Sequence, residues 1–190
     1  MRYDMRFLRL FITLILLLTS GFALRLADPP WLHPFYDAID TALFPYHLAR
    51  LQAQAPDPTI LMPVAGVRVE AVADTWGAPR SGGRTHKGQD IFAERGTAIY
   101  PAAEGYVTRI ADSGLGGKHV FVSGAGGRRY YYAHLDSFAE ISYGDRVSTH
   151  TIIGYVGNTG NARTTPPHLH FGIYTSRGAI DPLPFLVNRP

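Results

Sequence analysis

Not one cysteine occurs in the 190 residues of this chain. That absence excludes a disulfide framework, a thiol nucleophile and thiolate metal ligands, and it excludes a lipoprotein, which needs a cysteine to acylate. Charge is sparse too: charged residues make up 17% of the chain and the formal net charge is +3. Residues 1–23 hold Arg2, Arg6 and Arg9 against Asp4, so the remainder carries 15 basic and 14 acidic residues. No basic run with interleaved aromatics occurs, which argues against nucleic acid as a partner. Long helical periodicity is missing beyond Thr59, and no internal repeat is found.

Three segments follow from what is present. Arg2, Arg6 and Arg9 precede "LFITLILLL" at Leu10 to Leu18, the pattern of a secretory signal or an N-terminal anchor. "GFA" at Gly21 to Ala23 suits cleavage after Ala23. Counted from Phe7 to Leu24, with Arg9 tolerated, the stretch approaches the roughly 20 residues of a membrane span. Residues 1–24 are therefore read as a signal peptide or membrane anchor, and either places the rest of the chain outside the cytoplasm. Residues 25–58 read as a Pro-rich and helical connector. In "FYDAIDTALFPYHLARLQAQ" the apolar set Ile39, Leu43, Leu48 and Leu51 has helical spacing, and Pro45 is expected to break or kink the helix. The helix is expected to pack on the domain or a membrane surface. From residue 59 to 190, short β-branched and aromatic runs alternate with Gly, Asn, Asp and Pro. "VRVEAV", "EGYVTRI", "KHVFVSG", "RRYYYAHL" and "IIGYVG" read as strands, and "GAGG" at Gly124 to Gly127 as a hairpin turn. The expected fold is an all-β domain of ordinary size.

Histidine carries the chemistry. "HKGQD" supplies His86 and Asp90, "HLH" supplies His168 and His170, and "YYYAHL" supplies His134. Imidazole and carboxylate are the ligands Zn²⁺ takes when thiols are absent. A catalytic zinc needs three protein ligands and an open position, so five groups leave two for acid–base work. In a strand, alternation puts His168 and His170 on one face and Leu169, Phe171 and Ile173 on the other. By the same rule Tyr132 and His134 are expected to share a face. Gly82, Gly83 and Gly88 argue for a loop running into a strand around His86 rather than a helix.

These segments resemble the lysostaphin-type zinc metallopeptidases, which cut peptide bonds in bacterial peptidoglycan. The resemblance runs from about Leu61 to Pro184 and includes, in the family's order, "MPVAG", "TWGAPRSGGRTHKGQDI", "GTAIYPAAEGYV", "YYYAHL", "GDRV", "IIGYVGNTG" and "PHLHFGIY". It implies a compact antiparallel β-structure, sheet- or sandwich-like, with one zinc per chain in a long groove. It also implies that His86, Asp90 and His170 are the zinc ligands and that His134 and His168 are the catalytic histidines. The implied substrate is the peptide cross-link of peptidoglycan. Two positions depart from the family. Gln89 replaces an aliphatic residue and is expected to be a polar side chain turned inward. His150 stands where a turn glycine is usual. Some relatives have lost their ligands and act as regulators of other hydrolases, so a non-catalytic wall-binding protein or amidase activator is the rival reading. Retention of all five groups favours the enzyme. Arg80, Arg84, Lys87 and Arg163 flank the motifs and are candidates for binding a substrate carboxylate.

Overall fold

The computed structural model describes residues 33–190, without the side chains of residues 33–37 and of Ser81. The proposed signal or anchor in residues 1–24, with its membrane-attachment stretch at residues 7–24, lies outside the described residues. Among the described residues, no helix is long and apolar enough to cross a membrane.

Among the described residues one α-helix, α1 (His33–Gln52), is followed by strands and short 3₁₀ turns. The early strands are β1 (Ile60–Leu61), β2 (Pro79–Arg80), β3 (Arg84–Thr85), β4 (Gln89–Phe92) and β5 (Ala98–Ile99). The long ones follow: β6 (Gly105–Ser113), β7 (Gly117–Gly124), β8 (Arg129–Ala133) and β9 (Leu135–Phe138). The chain ends with β10 (Arg146–Val147), β11 (Gly154–Val156), β12 (His168–Thr175), β13 (Gly178–Ile180) and β14 (Leu186–Val187).

Helix α1 continues through Pro45 rather than breaking there. The side chain just before the proline explains why. Phe44 is buried, edge-on to Tyr106 and Tyr143 at 5.6 and 5.3 Å between ring centroids. Tertiary packing outweighs the hydrogen bond that proline cannot donate. Residues Phe44–Pro190 form one compact unit.

The main sheet has seven strands in the order β10-β6-β7-β8-β12-β13, with β4 also paired to β12. All its pairings are antiparallel. Strands β4 and β13 share one edge of β12: β4 runs along His168 to Phe171 and β13 along Ile173 to Thr175. The β6–β7 pairing shifts register between Val107 and Arg109, a bulge that adds local twist. Three smaller sheets complete the unit: the antiparallel sheet β5-β11-β9, the parallel pair β1 with β14 and the antiparallel pair β2 with β3. The expected all-β class holds. "GAGG" does close a hairpin, through a turn at Ala125–Gly127 between β7 and β8. The strand expected in "VRVEAV" is absent; Val69–Ala71 forms a 3₁₀ turn instead.

Alternation sorts the main sheet into two faces. Val120, Val122, Tyr130, Tyr132, Leu169, Phe171 and Ile173 are all 0% exposed and form the core with Ile91, Ile99, Leu135 and Ile153. Tyr132 takes its phenol into that core, where it accepts a 2.9 Å hydrogen bond from the Ala102 backbone N–H. The opposite face carries the histidines.

Candidate active site

Cross-strand register builds the site. His170 on β12 lies directly opposite Asp90 on β4, and His168 opposite Phe92. Residues directly opposite one another share a face, so His168, His170 and Asp90 converge while Leu169 and Ile91 enter the core. His86 comes from the segment just before β4. Its backbone is held by two hydrogen bonds, from its N–H to Ala78 O (2.9 Å) and from the Gly77 N–H to its carbonyl (3.0 Å).

Three donor atoms meet at one point. His86 Nε2 lies 2.9 Å from Asp90 Oδ1 and 2.8 Å from His170 Nδ1, and His170 Nδ1 lies 3.1 Å from Asp90 Oδ1. With neutral imidazoles, protons alone do not satisfy this triangle. His86 Nδ1 is 2.7 Å from the Thr75 carbonyl oxygen, an acceptor only, so Nδ1 carries the hydrogen and Nε2 presents a lone pair. Asp90 Oδ1 is also an acceptor, and neutral His170 brings at most one proton on Nδ1. At least one contact therefore sets lone pair against lone pair. A cation at the centre satisfies all three atoms at once. Two imidazole nitrogens and one carboxylate oxygen form a donor set that suits zinc.

His168 and His134 stand beside this triangle. His168 Nε2 is 3.9 Å from Asp90 Oδ1, and its Nδ1 is 2.9 Å from the Pro166 carbonyl. The His134 ring centroid is 5.1 Å from that of His168 and 5.9 Å from that of His170, and its Nδ1 is 2.9 Å from the Thr159 carbonyl. In both rings the carbonyl fixes the hydrogen on Nδ1, leaving Nε2 as the basic atom. All five residues singled out in the sequence are thus brought together.

The shared face expected for Tyr132 and His134 is wrong. Strand β8 ends at Ala133, and His134 has φ 66°, the one positive φ outside glycine among the described residues. This left-handed turn reverses the side chain's direction. Regular alternation would have buried His134 beside Tyr132. A non-glycine residue held in this region costs of order 1–3 kcal/mol and persists only when its surroundings enforce it. Here the His134 N–H donates to the Gly116 carbonyl (2.9 Å) while its ring is held by Thr159.

Burial and neighbours set the charge states. Burial acts to raise the pKa of Asp90, but its polar contacts with His170 and His86 hold it well below the usual carboxylate range. Burial pushes His134 down to about 4; charge on His170 and His168 adds to this, and the Thr159 carbonyl and Asp90 oppose it. His170 is lowered chiefly by burial. These rings are neutral near pH 7, the form in which imidazole binds metal and accepts protons.

The flanking residues divide. Arg80, a candidate for binding a substrate carboxylate, donates instead to Asp90 Oδ2 at 2.5 Å. Arg163 is exposed. Lys87 lies over the Trp76 ring, 5.7 Å from its centroid. His119 is buried on the site face with its Nδ1 2.8 Å from the Gly117 carbonyl. His150 is exposed and has no positive φ. Sequence reasoning missed Thr75, Thr159 and Pro166, because a backbone carbonyl that orients an imidazole leaves no mark in the sequence. It also missed Phe92, which is 54% exposed with its ring 5.2 Å from His168.

Two imidazoles and a carboxylate around one point, with two further imidazoles presenting free Nε2 atoms, is the donor arrangement of a metal-dependent hydrolase. The chain belongs to peptidase family M23, whose model matches residues 84–182 and so includes all five groups. It is 36% identical over 124 residues to the L-Ala-D-Glu endopeptidase of Bacillus subtilis (strain 168), covering 59% of this chain and 38% of that protein. It is also 36% identical over 110 residues to the glycyl-glycine endopeptidase ALE-1 of Staphylococcus capitis, covering 55% of this chain and 30% of that protein. The chain thus spans well under half the length of these relatives. Among solved structures it resembles the catalytic domain of the antimicrobial peptidase lysostaphin from Staphylococcus simulans. There the TM-score is 0.55 at 30% identity, covering 62% of this chain and 93% of that one.

Proposed function

We propose that this protein is a zinc-dependent metalloendopeptidase, with one Zn²⁺ per chain, that hydrolyses peptide cross-links of bacterial peptidoglycan. The observation that carries this reading is the convergence of His86 Nε2, Asp90 Oδ1 and His170 Nδ1, a triangle that neutral imidazoles and a carboxylate do not satisfy without a cation. The named activities of the M23 relatives support the substrate class. Those relatives cut different bonds, so the particular cross-link is to be read from the products. Residues 59–190 are proposed to carry catalysis and residues 25–58 to connect them to the N-terminal segment. That segment implies a periplasmic or secreted location, or attachment to the inner membrane through residues 7–24.

Bound at this site, zinc supplies Lewis-acid polarisation of the attacking water and of the scissile carbonyl. The chain's own groups do the rest. His168 Nε2, the basic nitrogen of the ring whose Nδ1–H is held by Pro166, takes the proton from the attacking water and delivers it to the leaving amine. His134 stands across from it, held neutral by burial, and accepts a hydrogen bond or a proton at Nε2. Asp90 stays ionised, with Arg80 on its outer oxygen.

The rival reading, a non-catalytic wall-binding protein or amidase activator, needs only a docking surface and no complete set of five groups. The test is hydrolysis of purified peptidoglycan by the full chain, with and without chelator, with casein as a control. Chelator-sensitive release of cross-link peptides supports the proposal. Stoichiometric zinc with no cleavage of any wall substrate would favour the rival. Equal turnover of casein would make it a general protease.

A further inference from the structure

Gln89 is 0% exposed and lies on the opposite face of β4 from Asp90. Every hydrogen-bonding position of its carboxamide is filled. Nε2 donates to Asp74 Oδ1 at 2.8 Å and to Asp181 Oδ1 at 2.9 Å. Oε1 accepts from the Thr75 N–H at 2.8 Å and from Thr75 Oγ1 at 3.2 Å. Two carboxylates at one end and two donors at the other fix the orientation of the amide.

Thr75 is the residue so gripped, and it touches both members of the first motif. Its hydroxyl spends its only proton on Gln89, so a lone pair faces the Asp90 N–H at 3.0 Å. Its carbonyl holds His86 Nδ1 at 2.7 Å and so aims Nε2 at Asp90 and His170. A buried amide is a costly way to fill a core position, since an aliphatic side chain of similar volume has no polar group to desolvate. What the amide adds is direction.

We propose that Gln89 is a positioning residue for the metal site, acting through Thr75 to fix the ring of His86 and the backbone of Asp90. This rests on the reading of His86 and Asp90 as metal ligands. Orienting partners of this kind change metal affinity by about 10–100-fold when removed. The test is a zinc competition titration on the full chain, with the absorption spectrum of the cobalt-substituted protein and the melting temperature of the metal-stripped protein as companions. Gln89→Met should bind zinc at least about 10-fold more weakly and shift the cobalt bands. Thr75→Val should weaken binding in the same way, and Thr75→Ser, which keeps the hydroxyl, should restore it. The double variant Gln89→Met with Thr75→Val should lose less than the product of the two single losses, because both break one relay.

A lowered melting temperature with unchanged zinc affinity and cobalt bands would make Gln89 a packing residue and overturn the inference. So would losses that multiply. If Gln89→Met does not fold, the Thr75→Val and Thr75→Ser pair decides alone: equal affinity in the two overturns the relay. Failure of the wild-type chain to bind zinc would instead overturn the ligand assignment, and this inference with it.

Discussion

Gly88 sits between His86 and Asp90, and its replacement by alanine separates space from backbone freedom. Gly88 is not among the positive-φ glycines, so alanine can adopt its conformation. Space is the obstacle. A Cβ there would lie 2.5 Å from the Phe171 carbonyl oxygen and 2.7 and 2.8 Å from Cε1 and Nε2 of His170. Carbon–oxygen contacts settle near 3.3 Å, so the backbone of β12 must retreat by about 0.8 Å, and the His170 ring must give way as well. Overpacking of this kind costs roughly 1–3 kcal/mol. The loss of glycine's freedom in the unfolded chain returns about 0.4–1 kcal/mol. A net destabilisation of roughly 1–2 kcal/mol lowers the melting temperature of a domain this size by roughly 2–8 °C. The effect on metal should be larger in proportion, because functional geometry tolerates displacements of only about 0.5 Å. Zinc affinity should fall about 10–100-fold, as when ligand-orienting contacts are lost. Thermal unfolding of the metal-stripped protein and chelator-competition titration read the two effects separately. A Gly88→Ala protein matching wild type in both would refute the claim that this glycine is required by contact with a ligand.

Other expectations follow from the same geometry. His86→Ala should lose both stoichiometric zinc and turnover, whereas His168→Ala should keep zinc and lose about 10²–10⁴-fold in rate; normal zinc content in His86→Ala would sink the ligand assignment. Tyr132→Phe leaves the buried Ala102 N–H without its partner and should cost about 1–3 kcal/mol in urea unfolding, with zinc affinity unchanged. In the metal-stripped protein, His134 titrates at about 4 folded and near 6.5 unfolded, so between those pH values the unfolded chain binds more protons and stability falls as pH drops. That loss is at most roughly 3 kcal/mol and should shrink in His134→Gln. Asp90, lowered in the fold, adds its own loss only as pH falls below about 4. A stability curve flat from pH 7 to 4 would contradict the His134 assignment, and one flat below pH 4 the Asp90 assignment.

What the sequence disclosed depended on whether the deciding contacts were local. Strand alternation is local, so "HLHFGIY" correctly assigned His168 and His170 to one face and Leu169, Phe171 and Ile173 to the core. Gln89 was legible as an inward-turned polar group by the same rule, although its partners Asp74 and Asp181 were not. "VRVEAV" has the composition of a strand, but Val69 donates its N–H to the side chain of Asn188, 119 residues away. Pro45 suggested a broken helix because the contacts holding that helix, Phe44 on Tyr106 and Tyr143, are likewise distant in sequence. His134 is the most instructive miss. Nothing in "YYYAHL" marks a left-handed residue, yet that one dihedral takes the histidine from the core side to the site.

The triangle of His86, Asp90 and His170 is proposed to hold the zinc of a peptidoglycan hydrolase. Zinc content and hydrolysis of purified peptidoglycan, measured together on the full chain with and without chelator, test this proposal most directly. About one zinc per chain is expected, carried by this three-donor site. Release of cross-link peptides that chelator stops and zinc restores is also expected, with product masses naming the bond. A chain that takes up no zinc after reconstitution, or that cleaves peptidoglycan equally well in chelator, would contradict the proposal.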